Sequence, residues 1–289
     1  HARGLTVMKP EALPRIYARA AGIFLKNQGR LPDLAAPDGL VEHIFAVKFT
    51  HAIPVRPNPA DKLNAGHYLR RALRARVGLP GRPWSAEDPV LPPDDAVPPG
   101  RYWLKKSLGN AMQARVDWPP SPERRARLQR WVEAWWARRY GVEWGEWWYA
   151  LSRPRLFLER DLSARMEGRA ECRIICRGGR ARFVALHRTL EGGERVFSLF
   201  DRAFRPLPGG VAGHRSIAEP EPEALSLMIE AAEDIARHFE FIRVDFLNIA
   251  GARPGLGELT LCPGNATQHY APEGFDRSLG ALVFGRGAG

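Results

Sequence analysis

Two hydrophobic periods alternate along this chain. Residues 10–27 place Ile16, Ala20, Ile23 and Phe24 on one side of a helix. A Pro-rich connection follows, and Asp61 to Val77 reads as helix again through Leu63, Tyr68, Leu69, Ala72 and Leu73. Residues 79–100 hold Pro80, Pro83, Pro89, Pro92, Pro93, Pro98 and Pro99. Neither a continuous helix nor a central strand accepts that density, so a loop or linker beside a domain edge is expected. Arg101 to Ser107 is a strand candidate leading into Gly109. Ser121-Pro122-Glu123 starts a helix, with Ser as N-cap and Pro at the first helical position. It runs to about Tyr140, with Leu128, Trp131, Val132 and Trp135 at helical spacing.

The period then shortens. Leu156 to Leu162 reads as a strand, and Glu171 to Leu186 as a hairpin turning at Gly178-Gly179. Phe197 to Phe204 is a further strand. Glu221 to Phe239 is a helix whose buried stripe is Leu225, Met228, Ile229, Ala232, Ile235 and Ala236. Acidic residues crowd its N-terminal end, where the dipole favours them. Helices mixed with antiparallel hairpins predict an α+β fold.

Phe241 to Ala266 concentrates the chemistry. It reads as two short strands joined by a turn at Gly251, Pro254 and Gly255. Alternation sets Arg243 and Asp245 on one face and Ile242, Val244 and Phe246 on the other. Glu258 and Thr260 share a face of the second strand, opposite Leu259 and Leu261. Two carboxylates facing one space repel each other, so a cation is the natural third party. Oxygen ligands on a rigid sheet suit Mg²⁺, which takes one or two carboxylates and leaves its remaining positions to water and phosphates. The bland alternative is a polar hairpin face with a surface ion pair.

Composition narrows the class. At 289 residues and 45% hydrophobic content the chain can bury a sizeable core. No apolar run reaches membrane-spanning length, and no secretory leader is read, so a cytoplasmic setting is expected. Three cysteines, Cys172, Cys176 and Cys262, are too few for a disulfide scaffold, and inert buried thiols are expected. The formal charge of +11 attracts polyanions but equally reflects an arginine-rich composition. The Trp residues between Trp118 and Trp148 fall mostly at core spacing. His187, His214 and His269 show no metal spacing.

Arg-Val-Asp at 243–245, followed by Gly-Glu-Leu-Thr and, two residues on, Pro-Gly, resembles the metal-binding end of ATP-grasp enzymes. The closer resemblance is to the TupA-like branch, named for a protein of teichuronopeptide synthesis and described as amidoligases. With gaps, it runs from about Arg30 to Leu282. It implies an ATP-grasp fold with the nucleotide held between two α+β units. The expected division is a helical N-terminal region (1–84), a central unit with the hinge strand (85–165) and a C-terminal unit with the metal site (166–289).

The resemblance also implies roles. Asp245 and Glu258 would hold Mg²⁺, with Thr260 where many relatives have Asn. Arg243 would steady negative charge on the reacting acyl group, or else only partner Asp245. Lys105, with Lys106 as its alternative, and Arg173, paired with Glu171, would hold ATP phosphates. Glu159 would face the adenine amine, and backbone near Leu162 would meet the adenine edge. The loop at 107–111 departs from the Gly-rich family pattern by keeping only Gly109, so Ser107 and Asn110 are the candidate side-chain donors. Asp61-Lys62 fits a family pair but is not read as catalytic.

The implied activity joins a carboxylate to an amine through an acyl phosphate, with ATP, a carboxylate substrate and an amine acceptor as partners. The substrates would be amino acids or uronic-acid-bearing glycans in envelope polysaccharide synthesis. Nucleic acid is not expected as a partner. Two alternatives stand beside it: a kinase acting on a hydroxyl, and a non-catalytic binder of anionic polymer.

Overall fold

The computed structural model describes residues 13–51, 53, 57–249 and 253–285. Helix α1 (Leu13–Gln28) follows the predicted stripe, with Ile16, Ala20 and Phe24 buried. Residues 10–12 of that prediction lie outside the described residues.

Helix α2 (Leu40–Thr50) stands where only a Pro-rich connection was expected. It is buried on nearly every side, so it carries no one-sided stripe for periodicity to detect. Its two buried charges are both satisfied. Glu42 takes the Arg30 guanidinium and the backbone N–H groups of Asp33 and Asp38. The Lys48 ammonium donates to the carbonyls of Trp144 (2.8 Å) and Asn265 (3.1 Å) and to Asn265 Oδ1 (2.7 Å). Without these partners the helix could not be buried at so low a cost.

The helix expected over 61–77 is two pieces. A 3-10 turn covers Lys62–Tyr68, started by Asp61, whose carboxylate accepts the Leu63 N–H. Helix α3 is Arg71–Arg76. Between them Leu69 and Arg70 are extended, and the Arg70 N–H reaches Asp234 (2.9 Å). A tertiary bond therefore outweighs local helix propensity here.

Strand β1 (Trp84–Ala86) is a short edge strand inside the Pro-rich stretch. Next come β2 (Gly100–Lys106), β3 (Gln113–Trp118), α4 (Pro122–Ala137) and β4 (Leu156–Arg160). The Ser121 hydroxyl caps α4 by accepting the Arg124 N–H (3.3 Å). The four strands form an antiparallel sheet in the order β1-β4-β2-β3. Tyr102, Leu104, Leu128, Val132, Leu156 and Leu158 fill the core between this sheet and α4.

The second half holds β5 (Met166–Arg177), β6 (Arg180–Thr189), β7 (Arg195–Asp201), β8 (Gly210–Val211), α5 (Leu225–Ala236), β9 (Phe241–Ile249), β10 (Gly255–Thr260), β11 (Tyr270–Ala271) and α6 (Phe275–Phe284). Five strands form a sheet in the order β10-β9-β5-β6-β7, and β11 pairs with β8. The β5–β6 hairpin turns at Gly178 and Gly179, both at positive φ, as a tight two-residue turn requires. The stripe of α5 packs on this sheet, and α1, α2 and the 3-10 turn at 62–68 share the same core. All three cysteines are buried and free. Among the described residues no helix is long and apolar enough to cross a membrane.

Candidate functional site

The expected pairing on β9 and β10 is present. Asp245 stands directly across from Glu258, and Arg243 across from Thr260. A bulge at Gly257 lies between Leu256 and Glu258, and it sets this register. Ile242, Val244 and Phe246 face the core and leave the polar face free for a cavity. Gly251 of the predicted turn lies outside the described residues.

Arg243 closes a fork on Asp245, with Nε to Oδ1 at 2.7 Å and Nη2 to Oδ2 at 2.6 Å. Nη2 also donates to the Thr260 hydroxyl (3.1 Å) and lies 3.7 Å from Glu258. The geometry is thus the pairing of Arg243 with Asp245 that the sequence left open beside an oxyanion role. Burial is the largest influence on Asp245 and pushes its carboxyl up, while Arg243 and Arg173 pull it back.

Strand β5 lies beside β9 and sets Arg173 opposite Asp245. Arg173 Nη2 donates to Glu171 (2.7 Å) and sits 3.0 Å from His187 Nδ1. Its Nε is buried 4.0 Å from Asp245 and has no hydrogen-bond partner among the described residues. Burial would raise Glu171, but the His187 and Arg173 contacts outweigh it and hold the carboxyl at about 2.

Across the gap, β2 and β4 carry Lys105 and Glu159. Lys105 Nζ lies 2.6 Å from one Glu159 oxygen and Arg82 Nε 2.9 Å from the other. Both oxygens of Glu159 therefore already hold a cation. Burial would raise Glu159, and the two cations more than offset that and keep it below its ordinary value. Arg82 sits in the Pro-rich stretch, where no sequence pattern marked it.

Lys106 resolves differently from its neighbour. It points to the far face of β2 and donates to the carbonyls of Trp135 (2.6 Å) and Arg138 (3.1 Å) at the end of α4. Ser107 is buried and tied to Arg155, its hydroxyl accepting that N–H at 3.0 Å. Neither residue lines the cavity that Lys105 and Glu159 border. Asn110 lines the site, with its Oδ1 accepting the Ala111 N–H (2.9 Å).

These residues enclose two adjoining cavities. One, of about 210 Å³, lies between the two sheets and is lined by Lys105, Glu159, Glu171, Arg173, Asp245 and Glu258. The other, of about 440 Å³, is lined by Arg243, Thr260, Tyr140, Glu146 and Asn265, and again by Glu258. Lys62 and the loop 109–111 also border both. Lys62 donates to the Gly109 carbonyl and lies 3.8 Å from Glu258, and burial pulls its pKa down. The sequence paired Lys62 with Asp61 but gave no sign that it borders both spaces, because that follows from folding. Leu162 is not brought to these cavities. It lines a separate one of about 350 Å³ beside Arg160 and Arg165, and its carbonyl accepts the Arg165 N–H.

Residues 146–284 match the family described as TupA-like ATPgrasp. The fold is α+β, with two antiparallel sheets facing one cavity. Among solved structures, the ATP-grasp ligase PsnB complexed with a phosphomimetic variant of its minimal precursor, Mg and ADP is 14% identical, with 72% of this chain and 51% of that one covered and a TM-score of 0.40. D-alanyl-alanine synthetase A from Vibrio cholerae is 11% identical, over 73% of this chain and 57% of that one, with a TM-score of 0.42. An L-amino acid ligase from Bacillus licheniformis is 13% identical, over 85% and 55%, with a TM-score of 0.46. The chain spans about half the length of these proteins. No curated protein matches it.

The family implies ATP and Mg²⁺, and the donor set fits both. Among the described residues no three His, Cys, Asp or Glu side chains converge as an all-protein metal cage. A magnesium ion shared with phosphates takes one or two carboxylates, and Asp245 and Glu258 face each other across the sheet. The orphaned Nε of Arg173 on the same wall is a donor suited to a phosphate oxygen.

Proposed function

We propose that this chain is an ATP-dependent ligase that joins a carboxylate to an amine through an acyl phosphate, with its substrates drawn from amino acids or uronic-acid-bearing glycans. The observation that carries the reading is Glu258. It faces Asp245 across the sheet and borders both cavities, so a phosphate group in one lies beside a carboxylate in the other.

In this reading Asp245 and Glu258 hold Mg²⁺, with Thr260 beside them. The ion, when bound, neutralises charge on the transferring phosphate. Lys105 and Arg173 bind the phosphates from opposite sheets. Lys105 approaches already compensated by Glu159, and Arg173 by Glu171. Arg243 fixes Asp245 and presents its remaining edge to Thr260 and Glu258, where charge on a reacting carboxylate would develop. The adenine would meet β4 near Glu159, whose oxygens are held by Lys105 and Arg82, while Leu162 stays in its separate cavity. Lys105 precedes the family-matched residues, so its role rests on geometry alone.

The test is hydroxylamine trapping. Purified protein with ATP, Mg²⁺ and a panel of amino acids and uronic acids should yield a hydroxamate and ADP. A phosphorylated product stable to hydroxylamine would replace this reading with hydroxyl phosphorylation.

A further inference from the structure

Glu146 lies between two short 3-10 turns, Val142–Trp144 and Trp147–Ala150, where the chain returns from α4 to β4. Its backbone is fixed by a hydrogen bond from its N–H to the Gly141 carbonyl (2.9 Å). The residue is only 4% exposed, yet it lines the larger cavity, as Glu258 and Thr260 do. Oε2 has no hydrogen-bond partner among the described residues.

Lys48 is the cation that acts on it, but the three donors of that ammonium go to Trp144 and Asn265. A buried carboxylate left in this state is costly, and burial raises Glu146 to about 7. A structural carboxylate would have been given donors by the fold, as Glu42 was. Tyr140, Trp144 and Tyr149 complete the surrounding wall, and aromatic faces are favourable neighbours for an organic cation. At about 440 Å³ the cavity falls in the range of small-molecule sites and has room for an amino acid.

We propose that Glu146 receives the ammonium group of the acceptor substrate, an amine of amino-acid size bound in the larger cavity. This rests on the ligase reading. It adds the site and charge of the acceptor, which neither the family match nor the metal pair supplies.

The test compares wild type, Glu146→Gln and Glu146→Asp, with the common L-amino acids and glucuronate offered as acids and the amino acids as amines. Hydroxylamine, mostly uncharged at neutral pH, traps the acyl phosphate without an ammonium site. Thermal melts with an ATP analogue and Mg²⁺ show that each variant is folded. The expected result is a KM for the amine raised about 10- to 100-fold in Glu146→Gln, the loss of one charged hydrogen bond. The KM for ATP should move less than twofold and the ratio of amide to hydroxamate should fall at least tenfold. Glu146→Asp, which keeps the charge, should recover part of the amine KM, and it carries the test alone if the Gln variant does not fold. An unchanged amine KM in the variants overturns the inference and leaves the ligase reading intact. A wild type that forms neither hydroxamate nor amide with any pair removes the ligase reading and this inference with it.

Discussion

Lys105 and Lys106 are adjacent in sequence and serve opposite faces of one strand. The first ammonium meets Glu159 in the cavity between the sheets, and the second meets the last carbonyls of α4. Their variants should therefore separate. Lys105→Met should weaken binding of an ATP analogue at least tenfold and leave the fold standing, since Arg82 still holds Glu159. Lys106→Met should leave nucleotide affinity within twofold and cost about 1–3 kcal/mol of stability by stranding buried carbonyls. Nucleotide titration by calorimetry and urea unfolding of both proteins distinguish the two.

Asp245 is expected to carry both structure and metal. Asp245→Asn removes the charge that Arg243 grips in a fork. Breaking a buried pair in this way costs about 3–5 kcal/mol, so the melting temperature without nucleotide should fall. The Mg²⁺-dependent rise produced by an ATP analogue should also vanish. Melts recorded with nucleotide alone, and with nucleotide and Mg²⁺, separate the two losses. Retention of the magnesium-dependent rise would remove Asp245 from the metal site.

Glu146 predicts a pH signature. Unfolded, its carboxyl titrates near the ordinary 4.5, and folded it titrates at about 7. Between those values the folded state binds more protons, so this group's contribution to stability falls as pH rises from 4.5 to 7. Glu146→Gln has no such slope. The stability of the variant relative to wild type should grow across that window by on the order of 3 kcal/mol and stay level above pH 8. Denaturant unfolding at stepped pH measures the difference directly, with all other titrations common to both proteins.

A substitution away from the site sets the baseline. Ser121→Ala removes the cap on α4 and should cost about 1 kcal/mol with no change in nucleotide binding. A change in nucleotide affinity would show that α4 communicates with the site through Lys106.

The residues on the polar face of β9 and β10 were legible because strand alternation is local. Arg243, Asp245, Glu258 and Thr260 fall on one face by counting alone, and the register across the sheet agrees. The capped start of α4 and the Gly178-Gly179 turn were legible for the same reason. Helix α2 was not, because a helix buried all round has no polar face to give it a period. The split at Leu69 and Arg70 was not, because Asp234, which causes it, lies far along the chain. Arg82 and Lys62 gained their positions through contacts with Glu159 and Gly109, and no spacing rule encodes those. The choice between Lys105 and Lys106 needed the strand's facing, which the packing of α4 decides.

The loop after β2 keeps a single glycine, and Lys62, 47 positions earlier, takes that glycine's carbonyl. A trans peptide is planar, with its C=O and the next N–H pointing in opposite directions. By gripping the Gly109 oxygen, Lys62 fixes which way the Asn110 amide points. The tilt of that plane is set by an anchor outside the loop, and it persists while the anchor stays protonated. Burial already draws the proton of Lys62 toward easier release. The direction of one amide dipole beside both cavities is thereby tied to the charge on a single distant side chain.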